Sequence, residues 1–514
     1  MNISIDANAK TYKFNKGFKF GIGNDHAATL TRKDVYEYLK FVQKEIGFKY
    51  LRFHGIFDDD MHIYQRLSDF PLFNKMPEAD KIKEINFKQV GVVLDNVLEA
   101  GFKPYIELSF MPSALASKKA YGFHYKNNIS KPKSYHKWAE FITLFINYLI
   151  ARYTLEEVKT WLFEVWNEPD LKAIFFRGSQ ADYFKLYSVT AKAIKKVNKE
   201  LKVGGPVTSG CLWLEDFISY CKSNNVPYDF ISTHHYPGDG FGNNFGPERF
   251  AEMKEKIVGL AKAGADISET MTSLFFHPEE YKNYPLGILT KKDKEARALV
   301  GNIPLYITEW NSTSVYGAPI HDEKMSACFI VKTMLDSSGI CNGYMFWCLS
   351  DYFEEQFLIN KPFHGGFGIL TNNGIPKPNF YAFKILNSLY ENRLETPKTK
   401  GIEYAAFIKD NRIQILIYNY DNDYYKHEEE DISITINKQI SEASVSYIND
   451  KYTNPKALWQ RLGSKNNLSK EEVSYIKNNS KPEKMALDYI YAKNFTKIKL
   501  RISTNDVILI EVKW

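Results

Sequence analysis

Two glutamates stand where short apolar segments stop abruptly. Glu168 follows the apolar residues 161–166 and precedes Pro169, and Glu309 follows the apolar residues 304–308. Short runs of large apolar residues are typical of strands that are buried on both faces. Pro169 cannot donate a hydrogen bond to a sheet and biases Glu168 away from helix, so this carboxylate is expected at the carboxyl end of a strand. A pair of carboxyl groups placed in this way can perform acid–base and nucleophilic chemistry.

The pair carries more information than either glutamate does. A single Asn-Glu-Pro, as at Asn167–Pro169, is as often a turn that ends a strand as it is a catalytic motif. Two strands of one barrel that each deliver a glutamate to the same rim predict a glycosidase that retains the anomeric configuration. That mechanism needs carboxyl groups about 5–5.5 Å apart, one to attack the anomeric carbon and one to protonate the leaving oxygen.

The elements that must position these glutamates alternate between strand and helix. Eight apolar runs predict strands, at residues 18–22, 49–54, 104–108, 161–166, 201–207, 228–234, 305–309 and 343–347. The segments between them have helical periodicity; in residues 32–46, Val35, Leu39 and Val42 share one face and Gly47 ends the helix. Eight such units predict an α/β fold, a (β/α)8 TIM barrel, with the two glutamates after strands four and seven.

The pattern changes beyond about residue 390. Short strands with alternating apolar residues are predicted at residues 412–418, 432–436, 498–502 and 507–510, without regularly interposed helices. This succession of short strands predicts a C-terminal β-sandwich. Within it, residues 451–475 are expected to be helical, and the acidic, tyrosine-rich residues 421–431 are expected to form a solvated loop. Residues 3–14 alternate weakly and predict a lone strand.

Composition excludes several other classes of protein. The 514 residues are 44% hydrophobic and 25% charged, which is globular composition rather than disorder. The net charge of +6 is not concentrated in a basic block, so we expect no nucleic-acid partner. The five cysteines include no Cys-x-x-Cys pair, so we expect free thiols. The sequence contains neither the residue spacing of a metal site nor a phosphate-binding loop, so we expect no metal and no cofactor. No segment resembles a signal peptide or a membrane helix, so we expect no membrane partner and a cytoplasmic location.

The motifs around the two glutamates resemble those of a known family. Trp166-Asn-Glu-Pro-Asp170 with Thr308-Glu-Trp310 is similar to the acid/base and nucleophile signatures of clan A retaining glycosidases. More narrowly, the chain resembles the family 39 glycoside hydrolases, and among them the β-xylosidases, over nearly its whole length. Four further stretches carry this resemblance: Arg52-Phe-His-Gly-Ile-Phe-Asp-Asp-Asp-Met61, Ser232-Thr-His-His-Tyr-Pro237, Phe346-Trp-Cys-Leu-Ser-Asp-Tyr-Phe-Glu-Glu355 and Pro362-Phe-His-Gly-Gly-Phe-Gly368.

The resemblance also implies a domain organisation. We expect a catalytic barrel over residues 15–358 and a connecting segment over residues 359–390 that packs on the barrel. Residues 3–14 together with residues 391–514 are expected to form the β-sandwich accessory domain. Family members often assemble, so the resemblance also implies assembly into a homo-oligomer.

The matched motifs assign roles to residues at the rim. The resemblance implies that Glu168 is the acid/base, that Glu309 is the nucleophile, that Tyr236 touches the nucleophile and that His234 touches the sugar. His234 and Tyr236 are two residues apart, so on an extended strand end they face the same way, and His235 points away. Asn167 is expected to hydrogen-bond the sugar 2-hydroxyl.

Further substrate ligands are expected on other strands. His54 resembles a sugar ligand, and Arg52, which faces the same way, either braces the carboxylates or forms an interior ion pair. Trp347 is expected to be an aromatic platform under the sugar. One of Glu354 and Glu355 is expected to bind sugar hydroxyls, with a slight preference for Glu355.

Two more features concern the edge of the site. His364 and Phe367 are expected to shape its entrance. Where many family members have an aromatic residue after the acid/base motif, this chain has Ile174 followed by Phe175 and Phe176. Either the aromatic residues are shifted by one position or the leaving-group side is remodelled.

The expected activity is that of an exo-acting retaining β-xylosidase on short xylo-oligosaccharides. The alternatives are another family 39 exo-glycosidase, either α-L-iduronidase-like or a broader β-glycosidase, and a non-catalytic glycan-binding barrel. In iduronidase-like members a lysine stands at the position of Tyr236, and the residues that follow, to Gly240, add an acid but no base. A neutral sugar is therefore favoured over a uronate, since a buried unpaired charge is costly.

Overall fold

The eight predicted strands form a closed parallel barrel in the computed structural model, which describes residues 1–238 and 247–514. Each strand pairs with its neighbour in the chain, and the eighth pairs with the first. In order, the strands are Gly21–His26, Tyr50–His54, Lys103–Glu107, Leu162–Glu164, Lys202–Thr208, Phe230–His234, Leu305–Trp310 and Gly343–Phe346. The predicted (β/α)8 TIM barrel is confirmed. Asp239 and Gly240, which the sequence analysis included in the loop after the sixth strand, lie outside the described residues.

The first strand begins later than the sequence predicted. Residues Gly17–Phe20 form a 3-10 turn, and the strand is Gly21–His26. A Cβ atom on Gly21 would lie 2.7 Å from the backbone oxygen of Tyr50, so the absence of a side chain allows the first two strands to pair closely. Phe20 instead closes the bottom of the barrel, where its ring stacks on that of Tyr306 at 4.3 Å.

Helices surround the barrel and pack their apolar faces on it; Val35, Leu39 and Val42, for example, are fully buried. A hairpin of Tyr64–Arg66 with Lys83–Ile85 follows the second strand. The helices up to the end of the barrel are Lys33–Glu45, Lys88–Glu99, Tyr135–Tyr153, Leu155–Val158, Gln180–Val197, Leu214–Ser223, Pro247–Ala263, Ile267–Phe275, Pro278–Tyr281, Ile288–Val300 and Lys324–Asp336. The helix Pro378–Ser388, in the predicted connecting segment, packs against Lys324–Asp336.

Two sheets form the C-terminal part of the chain and enclose a core rich in isoleucine, to which Ile415 and Ile434 contribute from opposite sheets. The larger sheet consists of Met485–Ala486, Glu442–Ile448, Val507–Lys513, Arg412–Tyr418, Glu403–Lys409, Asn392–Leu394 and Thr11–Lys13. The smaller sheet consists of Asn2–Ile5, Glu429–Ile436, Phe495–Ser503 and Ile490–Ala492. The predicted C-terminal β domain is confirmed, and two helices, Pro455–Arg461 and Lys470–Asn479, lie within it.

The N-terminal residues form two strands rather than the single strand that the sequence predicted. Asn2–Ile5 pairs in parallel with Glu429–Ile436 in the smaller sheet, and Thr11–Lys13 pairs with Asn392–Leu394 in the larger one. A turn at Asp6, in which its carbonyl accepts from the Ala9 N–H at 3.1 Å, breaks the strand between the two sheets. The domain boundaries themselves remain a prediction.

The acidic, tyrosine-rich loop is less solvated than its composition predicted. Asn422 is 8% exposed and donates to the backbone carbonyls of Tyr281 and Tyr284 in the barrel. The ring of Tyr424 packs on Phe276 at 5.5 Å. The first half of this loop is therefore a contact between the β domain and the barrel, which local composition does not reveal. In the described part of the chain, no helix has the length and apolar character needed to cross a membrane.

Candidate active site

Glu168 is carried by an unusual turn at the end of the fourth strand. Trp166 and Glu168 both have left-handed backbone conformations, with φ of 76° and 36°, which side chains other than glycine seldom adopt. The Glu168 N–H donates to the Val207 carbonyl at 3.0 Å, which ties the turn to the fifth strand. Such conformations persist where the surrounding structure enforces them, often at functional sites. Here the turn leaves the Glu168 side chain 7% exposed at the wall of a cleft.

Glu309 lies on the opposite wall, within the seventh strand. Its Oε1 accepts from Arg52 Nη1 at 2.7 Å, and its Oε2 accepts from the Tyr236 hydroxyl at 2.8 Å. Burial raises the pKa of Glu309 from its ordinary value to about 7, while Arg52, His54 and the Tyr236 hydroxyl act in the opposite direction. The two donors orient the carboxylate and favour its charged form.

The separation of the two glutamates decides what they can do. One carboxyl oxygen of Glu168, one of Glu309 and one ring nitrogen of His234 lie within 4.8 Å of one another. Carboxyl groups of retaining glycosidases are about 5–5.5 Å apart, whereas inverting enzymes leave about 6.5–9.5 Å for a water molecule. The three groups are also close enough to ligate a cation, but Glu309 is already bound by Arg52 and Tyr236. The arrangement fits direct attack by one carboxylate.

The side chains after the sixth strand alternate as the two-residue spacing predicted. The His234 Nδ1 lies 3.0 Å from Glu168 Oε1, and Tyr236 contacts Glu309. Burial, helped by the charges of Arg52 and His54, lowers the pKa of His234 well below its ordinary value. His235 points away from the cleft, with its Nε2 at 3.1 Å from Asp293.

Arg52 satisfies both of the roles that the sequence left open. Its guanidinium contacts Glu107 at 2.6 Å, and Glu164 and Glu309 at 2.7 Å each, entirely inside the barrel. It also donates to Asn167 Oδ1 at 2.9 Å. That bond fixes the orientation of the Asn167 amide, whose buried Nδ2 has no partner among the described residues. Asn167 is fully buried and is not among the side chains that line the cavity, so Nδ2 is a hydrogen-bond donor left unused beside the cavity-lining Glu168.

His54 and Trp347 lie side by side under the cleft. The ring centroids are 4.6 Å apart, and both side chains line the cavity. His54 Nδ1 lies 2.7 Å from Glu107, and its Nε2 lies 3.4 Å from Glu355. Burial alone would lower the pKa of His54, but Glu107 and Glu355 outweigh it and raise this pKa well above its ordinary value. The imidazole is therefore held as a cation.

The structure separates Glu354 from Glu355. Glu355 lines the cavity and is 7% exposed, whereas Glu354 accepts from the Tyr352 hydroxyl at 2.9 Å, outside the cavity lining. The backbone N–H groups of both residues donate to the carboxylate of Asp25, at 2.7 and 3.2 Å. Asp25 thus fixes the loop that aims Glu355. The sequence analysis missed it, although its place in a polar run at the end of the first strand is a signal.

Comparison with known proteins identifies the family. The chain matches the family model described as "Glycosyl hydrolases family 39" over residues 1–287 and 287–491. A β-xylosidase from Caldicellulosiruptor saccharolyticus is 36% identical over 520 residues, which cover 100% of this chain and 98% of that protein. The chain belongs to glycosyl hydrolase family 39. The resemblance read from the motifs is confirmed.

Two further comparisons agree with this assignment. A β-xylosidase from Geobacillus stearothermophilus is 30% identical, covering 99% of this chain and 95% of that protein. The solved structure of a family 39 β-xylosidase from Caulobacter crescentus superposes with a TM-score of 0.76 at 28% identity, with 100% of each chain covered. A bacterial orthologue of human α-L-iduronidase has a TM-score of 0.67 at 14% identity, over 100% of this chain and 83% of that one, which shows a shared fold.

This family 39 chain encloses the two glutamates in a cavity of about 410 Å³. Phe367 lines it, as expected for an entrance residue, whereas His364 is turned toward the Tyr316 hydroxyl at 3.0 Å. The lining residues that the sequence analysis did not name include both apolar and polar side chains: Phe123, Leu171, Ser209, Gly210, Leu212, Trp213, Lys292, Ser314 and Gln356. They come from different loops and, for Lys292, from the helix Ile288–Val300, and no local pattern in the sequence singles them out.

Ile174 stands where many family members have an aromatic residue, and the positions of this residue and its two neighbours show which of them reach the cavity. Ile174 and Phe175 both line the cavity. Phe176 is buried and packs on Trp166, with ring centroids 5.4 Å apart. Phe175 therefore places an aromatic ring on this wall, as the alternative of a shift by one position requires.

Proposed function

We propose that this chain is a retaining exo-β-xylosidase that removes terminal β-D-xylosyl residues from short xylo-oligosaccharides. The observation that carries the proposal is the approach of the Glu168 and Glu309 carboxyl groups to within 4.8 Å in a small cavity. Curated β-xylosidases that are similar over the full chain support the substrate class. The cavity volume suits a few sugar units rather than a polymer chain.

In the first proposed step Glu309 is the nucleophile. A carboxylate oxygen forms a bond to the anomeric carbon while the bond from that carbon to the leaving oxygen breaks. The electron pair goes to the leaving oxygen, and the proton of Glu168 transfers to it. Arg52 and Tyr236 bind the two oxygens of Glu309 at 2.7 and 2.8 Å, and so hold it in one orientation.

In the second step the roles reverse. Glu168, now a carboxylate, takes a proton from a water molecule, and the water oxygen bonds to the anomeric carbon. The ester bond to Glu309 breaks and its electron pair returns to the carboxylate. Two displacements at one carbon retain the configuration, and both glutamates end in their starting protonation states.

Four side chains are proposed to bind the terminal sugar. Asn167 offers its unpartnered Nδ2 to the 2-hydroxyl. The cationic His54 and the carboxylate of Glu355 are offered to the other hydroxyls, and Trp347 to the apolar face of the ring. Glu354 drops out of this proposal, because its carboxylate is bound to Tyr352 outside the cavity.

The charges around the cavity support a neutral terminal sugar. Among the described residues that line it, Lys292 is the one lysine or arginine, and its Nζ lies 3.4 Å from the Gly210 carbonyl. Gly210 lies just past the fifth strand and also lines the cavity. A uronate in the terminal sugar site would face the carboxylates of Glu309 and Glu355, and the nearby cation, His54, is already paired with Glu107 and Glu355. Burial of an additional unpaired carboxylate is costly.

A panel of nitrophenyl glycosides tests the proposal. The β-D-xyloside is expected to exceed the β-D-glucoside by at least about tenfold in kcat/KM, because steric exclusion discriminates strongly against an added CH2OH group. The β-D-glucuronide is expected to be inert. A glucoside rate equal to or above the xyloside rate refutes the xylosidase assignment, while proton NMR of the first-formed anomer tests the retaining mechanism separately.

Three further properties belong to the same proposal. Cys221, Cys328, Cys341 and Cys348 are buried free thiols, which supports a reducing compartment, and we propose a cytoplasmic location. A catalytic barrel over residues 15–358, a connecting segment over 359–390 and a sandwich of residues 3–14 and 391–514 is our proposed division of the chain. Sedimentation or light scattering of the purified protein tests whether it assembles into a homo-oligomer.

A further inference from the structure

A chain of hydrogen bonds runs from the barrel interior to the proposed acid. Glu164 Oε1 lies 2.9 Å from Thr308 Oγ1, which lies 3.1 Å from His234 Nε2. On the other side of the same imidazole, Nδ1 lies 3.0 Å from Glu168 Oε1. Glu164, Thr308 and His234 are fully buried, so water does not compete for these bonds. Each hydrogen along this chain can therefore be assigned to a donor.

The Thr308 hydroxyl donates its hydrogen bond to Glu164. The Glu164 carboxylate forms an ion pair with Arg52, whose Nε donates to it at 2.7 Å, and it also accepts from the Tyr105 hydroxyl at 3.1 Å. A hydroxyl has one hydrogen to give, and a bond to a charged acceptor is roughly twice as strong as a bond to a neutral one. We therefore assign that hydrogen to the Thr308–Glu164 bond.

The assignment at Thr308 fixes the imidazole next to it. Since the Thr308 hydrogen is directed at Glu164, its oxygen must accept from His234 Nε2. Burial and the positive charges of Arg52 and His54 lower the pKa of His234 well below its ordinary value, so the ring is neutral and carries one hydrogen. That hydrogen is on Nε2, and Nδ1 is left with an unshared pair directed at Glu168.

From this geometry we propose that Thr308 is a positioning residue that keeps His234 in the Nε2–H tautomer. In this tautomer Nδ1 accepts a hydrogen bond from the protonated carboxyl group of Glu168 and so favours the acid form of this glutamate. The inference rests on the proposed role of Glu168 as acid/base. A hydrogen bond to the neutral form of a carboxyl group disfavours its ionisation. Once Glu168 has given up its proton, the same unshared pair makes its carboxylate a stronger base toward water.

Other charged groups face Glu168 and His234 and are left in place by a change at Thr308. They are Arg52 and His54 on the second strand, Glu164 on the fourth, Tyr236 just past the sixth and Glu309 on the seventh, while His235 acts on His234 from outside the cleft. A shift of the pH profile on changing Thr308 therefore reports the hydrogen-bond chain and not a change in the number of charges.

Substitution of Thr308 tests the inference. Thr308→Val keeps the shape but removes the hydroxyl, so His234 can adopt the other tautomer and donate to ionised Glu168. The alkaline limb of kcat/KM is expected to move down by about one pH unit, because acid is lost tenfold per unit. At pH values above the wild-type alkaline limb, xylobiose, which needs protonation of the leaving group, is expected to lose about tenfold, while a dinitrophenyl xyloside loses less than about threefold.

Two further variants serve as controls. Thr308→Ser keeps the hydroxyl and is expected to restore both the alkaline limb and the xylobiose rate. Thr233→Val removes a buried hydroxyl on the neighbouring strand that donates to the Thr208 carbonyl at 2.8 Å, and is expected to leave the alkaline limb in place. An alkaline limb that is the same in wild type and Thr308→Val overturns the inference, as does an equal shift in Thr233→Val.

A direct measurement on the unmodified protein does not depend on any variant folding. Nitrogen-15 NMR of histidine-labelled protein, with His234 assigned by His234→Gln, is expected to show a pyrrole-type Nε2 and a pyridine-type Nδ1. A hydrogen on Nδ1 overturns the inference. If that result is found in an enzyme that Glu168→Ala inactivates toward xylobiose, the proposed function stands and only the inference fails; an active Glu168→Ala variant removes the acid role itself.

Discussion

Glu309 is the residue on which the proposed chemistry depends most directly. Its side chain is buried, and its two carboxylate oxygens accept hydrogen bonds from Arg52 and from the Tyr236 hydroxyl. Preorganised donors of this kind favour one orientation and the charged form of a nucleophile.

We predict that Glu309→Ala loses at least about a hundredfold in kcat, the scale expected when covalent catalysis is removed. Azide is small enough to occupy the vacated space and is expected to restore part of the turnover, giving a glycosyl azide of inverted configuration. Mass spectrometry and NMR of the product check this. A folded variant that keeps more than about a hundredth of wild-type kcat contradicts the assignment.

The pH dependence on the acid side is also decided at Glu309. Burial raises the pKa of this carboxyl group to about 7. Since the nucleophile must be ionised, kcat/KM is expected to fall as the pH drops through about 7 and to be retained above it until Glu168 ionises. The profile of nitrophenyl β-D-xyloside hydrolysis at constant ionic strength measures this limb. A limb near the ordinary carboxyl value of 4.5 contradicts the prediction.

At the scale of elements, close approach of the first and eighth strands positions the sugar platform. Gly23 lies on the first strand, and a Cβ atom there would come within 2.3 Å of the Trp347 ring. The loop that bears Glu355 is fixed by Asp25, at the end of the same strand. The first strand thus positions two proposed sugar ligands that follow the eighth.

We predict that Gly23→Ala displaces Trp347 and lowers kcat/KM for the xyloside by at least about tenfold, since small misplacements in a site are costly. Gly259→Ala is the matched control: it lies in the helix Pro247–Ala263, and a Cβ there meets no atom within 4 Å. The control is expected to keep full activity and to gain about 0.5–1 kcal/mol in free energy of unfolding. Equal activity of the two variants contradicts the role of Gly23.

At the scale of the whole molecule, the β domain contacts the barrel close to the catalytic strand. Asn422 donates to the carbonyls of Tyr281 and Tyr284, and the Tyr281 hydroxyl donates to the Ser312 carbonyl. Ser312 lies just past the strand that bears Glu309. The contact connects the sandwich, through one barrel tyrosine, to the loop beside the nucleophile.

Loss of this contact is expected to lower the stability of the protein. Asn422→Ala leaves two backbone carbonyls without this donor and is predicted to cost about 1–3 kcal/mol in free energy of unfolding. Asn479→Ala is the control, since that amide donates at 2.8 Å to the Tyr475 carbonyl of its own exposed helix, and a change within about 0.5 kcal/mol is expected. Denaturant unfolding of both variants measures the difference. Equal midpoints would show that the loop contact contributes no stability.

Features that depend on neighbouring residues could be predicted from the amino-acid sequence. The period of apolar residues gave the eight barrel strands, because burial on both faces of a strand demands short unbroken apolar runs. The residue types at the two strand ends, Glu168 and Glu309, led to the family, because Asn-Glu-Pro and Thr-Glu-Trp are contiguous. The two-residue spacing of His234 and Tyr236 placed both on one side, since side chains alternate along an extended chain.

Contacts between side chains that are distant in the sequence became visible in the folded structure. In the structure the side chain of Glu355, and not that of Glu354, lines the cavity. The loop that bears both glutamates is bound by Asp25, which is 330 residues from Glu355 in the sequence. The fold also splits the N-terminal strand between two sheets and brings Thr308 between Glu164 and His234. Contacts of this kind form when strands that are distant in the sequence become neighbours in the barrel. The spacing of apolar residues and the types of adjacent residues do not predict them.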